Sequence, residues 1–245
     1  MSDATLGTRV APAPVLEVID VVKEYRSGDG STLRILDGAS FTVGRGEMVA
    51  IIGESGAGKS TLLQILGGLD RPTSGRVRIA GQDVTTGSED AMAAIRNRSV
   101  GFVFQFHHLL RDFSAVENVM FPLRIAGRAE SAARSRALEL LDAVGLAGRA
   151  EHRPTALSGG EQQRVAVARA LAGEPALVLA DEPSGNLDRG NALRLHDLFA
   201  TLAATHGVGV VVVTHNRGLA ARADRVLLLE MGRLVASSAM AAEVG

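Results

Sequence analysis

The chain has no cysteine, no tryptophan and one tyrosine, and aromatic residues fill only 3% of its 245 positions. Without cysteine there is no disulfide, no thiolate nucleophile and no zinc–thiolate centre. Aromatic residues are too few for a membrane-interface belt. The longest apolar run, Val208–Val213, falls far short of the roughly 18 residues a membrane-spanning helix needs. The opening stretch MSDATLGTRVAPAPV has no long apolar core of the secretory-leader kind, so a soluble, cytoplasmic chain is expected. An excess of one charge is also missing: 26 Lys and Arg against 27 Asp and Glu leave a net charge of −1. Proteins that grip nucleic-acid phosphates carry a basic excess, and a nucleic-acid partner is not expected. Lysine itself is nearly absent. Lys23 and Lys59 are the only two, and every other basic residue is arginine.

What is present suits a folded α/β protein. Apolar residues make up 46% of the chain and charged residues 22%, enough for a sizeable core. The length suits one domain with an inserted subdomain better than two domains. Residues 1–14 mix small, polar and proline residues and read as a flexible tail, and residues 239–245 read as a C-terminal tail. Between them, residues 15–238 read as one domain. Strand-like runs VLEVIDVVKEY, LRILDGASFTV and GEMVAIIG come first, then the helical KSTLLQILGGL, a hairpin-like GRVRIAGQDV and the short strand VGFVFQ. From about residue 106 to 157 the spacing turns helical, which predicts an inserted α-helical subdomain. The α/β rhythm then returns: a helix over residues 159–172, the strand ALVLAD, a helix from NALRLHDLF onward, then the strands VGVVVVTH and RVLLLEMGRLV. Strands alternating with helices predict a mostly parallel sheet covered on both faces, beside a smaller antiparallel part.

Three motifs carry chemistry. The first is GESGAGKS, comprising Gly53, Glu54, Ser55, Gly56, Ala57, Gly58, Lys59 and Ser60, with Thr61 next to it. It fits G-x-x-x-x-G-K-S/T between a strand and a helix, the pattern of a phosphate-binding loop. Glycines let backbone N–H groups converge on phosphate oxygens, and the helix N-terminus favours the anion. Lys59 is placed for the β- and γ-phosphates and the Ser60 hydroxyl for Mg²⁺. The second is ALVLADEP, a buried strand ending in two carboxylates. Alternation along the strand is expected to send them to different tasks: Asp181 to Mg²⁺, Glu182 to the attacking water as general base. The third is LSGGEQQR. Ser158, Gly159, Gly160 and Glu161 open a helix and offer a second anion-binding turn.

With LSGGEQQR in place, the sequence resembles the nucleotide-binding subunits of ABC transporters, whose signature it matches. The resemblance runs from about Leu16 to Val235 and implies a P-loop NTPase core of ABC type that hydrolyses ATP with Mg²⁺. It also implies roles for further residues. Tyr25 stands where the family places its adenine-stacking aromatic. Gln105 matches the glutamine that contacts Mg²⁺ and the water. SGNLD, from Ser184, matches the loop that crosses the dimer interface, and His215 matches the switch histidine near the γ-phosphate. In the family the signature turn serves a nucleotide held by a second copy, which implies a head-to-tail pair with two ATP between the copies. Glu54, Ser184 and Asn216 depart from the commonest residues of the family pattern.

A finer resemblance lies in QFHHLLRDFSAVENVMFPL, GGLDRPTSG and HRPTALSGGE, which are similar to the ATPase of the lipoprotein-releasing (LolCDE-type) exporter, although Arg111 stands where Pro is common. This implies a peripheral subunit on the cytoplasmic side of the inner membrane. It would touch the bilayer only through two different permease subunits, with an apolar surface around Phe106, Leu109 and Leu110 receiving them. Its work would be release of lipoproteins toward a periplasmic carrier. The alternative keeps the chemistry and changes the cargo, as in a macrolide-exporter-like or cell-division-type complex. A non-transport ABC ATPase would bring a long coiled coil, tandem units or a basic surface, none of which is seen. A phosphate-loop kinase or GTPase leaves LSGGEQQR unexplained.

Overall fold

Four short runs in the sequence are apolar at nearly every position: β3 (Met48–Ile52), β6 (Val100–Phe104), β7 (Leu177–Asp181) and β8 (Gly209–Val213). Such runs need both faces of their sheet covered. The computed structural model, which describes residues 13–26, 28 and 30–236, places them side by side in a six-stranded sheet. The expected tails fall outside the described residues, apart from Ala13 and Pro14. The sheet runs β10–β9–β3–β8–β7–β6, where β9 is Arg225–Glu230 and β10 is Arg233–Ala236. All of its pairings are parallel except β9 with β10.

Successive side chains along these strands enter two different cores, as the two-residue period of a strand requires. Met48, Val178, Ala180, Val210 and Val212 join one cluster. Val49, Ile51, Leu177, Leu179, Val211 and Val213 join the other. The first core extends into the helical region through α3 (Ala115–Ile125), α4 (Glu130–Ala143) and α5 (Gly159–Leu171), which pack on one another, and into α6 (Arg189–His206). The second continues through α1 (Lys59–Leu66) into a four-stranded antiparallel sheet. That sheet is ordered β2–β1–β4–β5, from β1 (Leu16–Arg26), β2 (Thr32–Val43), β4 (Ser74–Ile79) and β5 (Gln82–Asp83). The fold is thus a mixed α/β unit with parallel and antiparallel sheets, as the sequence predicts.

Two features differ from the sequence reading. RVLLLEMGRLV reads as one strand but is a hairpin. Met231 and Gly232 both take positive φ, +47° and +77°, the conformation of a tight hairpin turn that returns β10 along β9. A helix not expected at all, α2 (Glu89–Ser99), buries only Met92 and so shows no apolar period. It is held by its cap: the Ser88 hydroxyl accepts the Ala91 N–H, and Glu89 and Asp90 sit in the first turn.

The register sets what happens at the carboxyl ends of the parallel strands. Ile51 pairs with Val213, Val213 with Asp181, and Asp181 with Phe104. The residues that follow each strand therefore emerge along one edge, where open α/β sheets bind ligands.

Candidate functional site

The loop after β3 is closed by its own lysine. Lys59 Nζ donates to the Gly53 carbonyl at 2.8 Å and to the Glu54 carbonyl at 2.7 Å, so the ammonium sits across the loop it follows. Gly58 caps α1 with φ +98°, and a Cβ there would lie 2.8 Å from Ile35 Cγ2, so both conformation and space demand glycine. Neither the cap residue nor an acidic first turn occupies the N-terminal N–H groups of α1. A cavity of about 340 Å³ opens here, lined by Ile35, Ser55, Gly56, Gly58, Lys59, Ser60 and Thr61 together with Asp181 and Glu182.

The two carboxylates reach this cavity by different routes. Asp181 ends β7. Burial pushes its carboxyl above the ordinary value and the nearby Glu182 charge adds to this, while the Ser60 hydroxyl and Lys59 oppose it. Glu182 does not continue the strand alternation that the sequence implies. It takes φ +43°, a left-handed conformation that costs a non-glycine residue about 1 kcal/mol or more, fixed by its N–H donating to Val213 O at 2.9 Å. The turn carries its carboxylate to the end of β8. There Oε1 accepts the His215 backbone N–H at 3.0 Å and faces His215 Nδ1 at 2.7 Å, and the Thr214 hydroxyl donates to Oε2 at 3.1 Å. The His215 side chain remains 74% exposed and that of Glu182 17%.

Gln105 follows β6 and meets the loop after Glu182: its Nε2 donates to Asn186 Oδ1 at 3.2 Å, and Asn186 Nδ2 donates back to the Gln105 carbonyl. Tyr25, at the end of β1, lies beside α1. Its hydroxyl donates to Asp70 Oδ2 at 2.9 Å, and Thr61 also acts on the phenol. The signature turn stands apart, and none of its residues lines the phosphate-loop cavity. Ser158 and Glu161 form a capping box on α5. The Ser158 hydroxyl accepts the Glu161 N–H, and Glu161 accepts the Ser158 N–H at 2.8 Å. That N–H donation, followed by the Ser158 hydroxyl, holds the Glu161 carboxyl below its ordinary range.

Several residues that shape the site escaped the sequence reading. Thr214 orients Glu182, with only its place before His215 as a signal. From α5, Gln163 Nε2 donates to Phe104 O at 3.0 Å, and Arg169 donates to the His107 and His108 carbonyls at 2.8 and 2.7 Å. These bonds tie the signature helix to the chain segment on both sides of Gln105. Asn118 of α3, wholly buried, holds the next part of that segment. Among the described residues no group of three or more His, Asp or Glu is placed to hold a metal by itself, and no helix is long and apolar enough to cross a membrane.

A family model described as ABC transporter matches residues 36–185. The lipoprotein-releasing system ATP-binding protein LolD of Geobacter metallireducens is 53% identical over 222 residues, covering 91% of this chain and 98% of that protein. The LolD of Xanthomonas campestris pv. campestris is 51% identical over 222 residues, covering 91% and 92%. Among solved structures, the dimeric post-hydrolysis state of the ATP-binding cassette MJ0796 bound to ADP and Pi superposes with a TM-score of 0.81. It has 38% identity, over 89% of this chain and 96% of that one. The cbiO1 protein of Clostridium perfringens, part of the ABC transporter complex cbiONQ, gives 0.80 at 28% identity, covering 91% and 87%. The chain is an ATPase of the ABC transporter family, and within that family it belongs with the lipoprotein-releasing system ATP-binding proteins.

Proposed function

We propose that this chain is the ATP-hydrolysing subunit of a transporter that releases lipoproteins from the inner membrane toward a periplasmic carrier. The observation that carries the chemistry is the Glu182 carboxylate, turned out of β7 and held at the mouth of the phosphate-loop cavity by Thr214 and His215. The cargo rests on the relatives named above, at 51–53% identity over nine-tenths of the chain.

Each residue has a task in that reading. The Gly53–Thr61 loop takes the phosphates on its backbone N–H groups, with Lys59 turned from the loop carbonyls toward the β- and γ-oxygens. Tyr25 stacks on the adenine. Glu182 accepts the proton of the attacking water, and His215, hydrogen-bonded to Glu182, follows the γ-phosphate. Ser60 and Asp181, which both line the cavity, are hard-oxygen donors suited to Mg²⁺, with Gln105 assigned as the third from outside that lining, and the half-buried Asp181 carboxyl, raised by desolvation, is the kind of group a cation satisfies. When bound, that ion neutralises charge building on the transferring phosphate. The α5 N-terminus with Ser158, Gly159, Gly160 and Glu161 lies away from its own chain's cavity, which supports a head-to-tail pair in which it closes on the ATP of a second copy. Closure of that pair would move the membrane subunits.

The contact with those subunits is assigned to the segment after Gln105. Phe106 is 66% exposed and Leu110 45%, while Leu109 packs against the core. A cavity of about 430 Å³ lies between this segment and Pro154, Thr155 and Gln162. In this reading the helical region, assigned to residues 106–157 of a domain spanning 15–238, receives the permeases, and the chain stays peripheral at the inner face of the inner membrane.

The test is to tag the Glu182→Gln chain, purify it with ATP and Mg²⁺ from native membranes in mild detergent, and weigh the intact assembly. Two copies with two different integral membrane subunits are expected. Two copies with one kind of membrane subunit would move the assignment to the exporter or cell-division type. A pair with no membrane partner would remove the transport reading and leave the ATPase.

A further inference from the structure

Lys23 is one of two lysines in a chain that otherwise uses arginine, and it is only 9% exposed. A buried lysine must be paired. An ammonium has three donors, and each finds a partner here. Nζ donates to Asp70 Oδ1 at 2.8 Å and to the Arg71 carbonyl at 2.7 Å. Its third side lies over the Tyr25 ring, 4.7 Å from the centroid. The other Asp70 oxygen accepts the Tyr25 hydroxyl at 2.9 Å. Lysine, aspartate and tyrosine thus close a triangle in which the ring is held at its hydroxyl and on one face.

The triangle is referenced to the phosphate loop. Asp70 follows α1 by four residues, and its N–H donates back to the Gln64 carbonyl at 3.3 Å, so the Asp70 turn is fixed to the helix that the loop opens. Thr61, in the first turn of that helix, acts on the same phenol. Charge states agree with the geometry. Burial raises the Tyr25 phenol, as do the Asp70 hydrogen bond and charge, so the hydroxyl stays a donor. Burial would raise Asp70 too, but Lys23, Tyr25 and the Arg71 N–H outweigh it and keep the carboxyl below its ordinary range. With one face under the ammonium, the ring still leaves Tyr25 42% exposed, a surface on which a base can stack.

We propose that Lys23, clamped by Asp70, is a positioning residue for base recognition. It fixes the Tyr25 ring at a set distance from the phosphate loop and so determines how much the adenine adds to binding of the triphosphate. This rests on the reading of Tyr25 as the adenine platform. In this proposal Lys23 acts through the Tyr25 ring, the group it is seen to touch. Its contribution comes from a ring already in place, which spares the base the cost of ordering it on binding.

The experiment compares ATP with inorganic tripolyphosphate, a probe that fills the phosphate loop and has no base. Equilibrium binding of each to the full chain is measured with Mg²⁺ by calorimetry. The single tyrosine, in a chain without tryptophan, also reports on the ring by its own fluorescence. Lys23→Met is expected to weaken ATP binding by about three- to thirtyfold and leave tripolyphosphate within about twofold. The change in tyrosine emission on adding ATP should move to correspondingly higher ATP. Asp70→Asn, which preserves size and a hydroxyl acceptor, is expected to act in the same direction and to lower the Tyr25 ionisation point. It carries the test if Lys23→Met fails to fold. Equal weakening of both probes by these variants would make the triangle a general support of the loop and overturn the proposal, as would no change in either. Tyr25→Ala separates the two levels. If it changes the ratio of the probes and Lys23→Met does not, the positioning role alone falls. If it leaves the ratio unchanged, the reading of Tyr25 falls and the proposal with it.

Discussion

Replacing Asn118 by Ala removes the group that shapes the segment between the phosphate site and the exposed apolar residues. Asn118 is fully buried in α3. Its Oδ1 accepts the Leu110 N–H at 2.8 Å, and its Nδ2 donates toward the Leu110, Phe113 and Ser114 carbonyls at 3.1, 3.1 and 2.9 Å. An amide nitrogen has two protons, so three acceptors share two bonds, and three bonds are lost in all. At about 0.5–1.5 kcal/mol net each, with a small added cost for the void, the loss of stability is about 2–4 kcal/mol. The assay is urea unfolding, read as a lower midpoint at unchanged slope. A second effect follows from position. The same bonds hold Leu110, so the variant should lose stimulation of ATP hydrolysis by the membrane subunits before it loses its own basal hydrolysis. A stability loss under about 1 kcal/mol, with stimulation intact, would refute the claim that this one amide organises the segment.

Other perturbations separate the parts of the site. Lys59→Ala should weaken ATP binding and hydrolysis together, because the ammonium closes the loop and, in the proposed function, turns to the phosphates; unchanged affinity in a filter or calorimetric assay would count against that contact. Ser158→Arg should leave ATP binding by one copy intact and block ATP-dependent pairing, read by light scattering, while stable pairs would mean the signature turn is misassigned. Stability should also respond to pH through His196. Burial first, then Arg222, holds this histidine below its ordinary value, with Asp197 opposing. The unfolded chain therefore takes up a proton near pH 6.5 that the native chain refuses, so stability is full above that pH and falls as pH drops below it, by at most about 1.4 kcal/mol per unit. Urea midpoints between pH 7 and 5.5 should show this slope, to which His107, also lowered by burial, adds in the same direction; His196→Gln should reduce it, and an equal slope in the variant would assign the effect elsewhere.

The parts of the fold legible in the sequence are those where one local rule decides. β3, β7 and β8 announce themselves because a strand covered on both faces is apolar at every step, and the Gly53–Ser60 loop because its spacing is tied to backbone geometry. α2 is invisible to the same rule, since one buried methionine makes no period and only Ser88 and the two acids after it mark the start. The site is legible as a set of residues but not as an arrangement. Asp181 and Glu182 are adjacent, yet what separates their directions is a left-handed residue that no pattern in ALVLADEP signals. Lys23 and Asp70 meet across 47 residues and Gln105 and Asn186 across 81, distances that only the sheet pairings close.

The central claim is that Glu182 performs the chemistry at a nucleotide held by the Lys59 loop. Glu182→Gln tests it, because the amide keeps the size and an acceptor for the His215 N–H and the Thr214 hydroxyl but cannot take a proton. The measurement is ATP affinity and single-turnover hydrolysis on the same purified variant. Unchanged affinity with hydrolysis slowed by about 10²–10⁴ is the predicted result. Turnover close to that of the natural chain would remove Glu182 from the reaction and contradict the account.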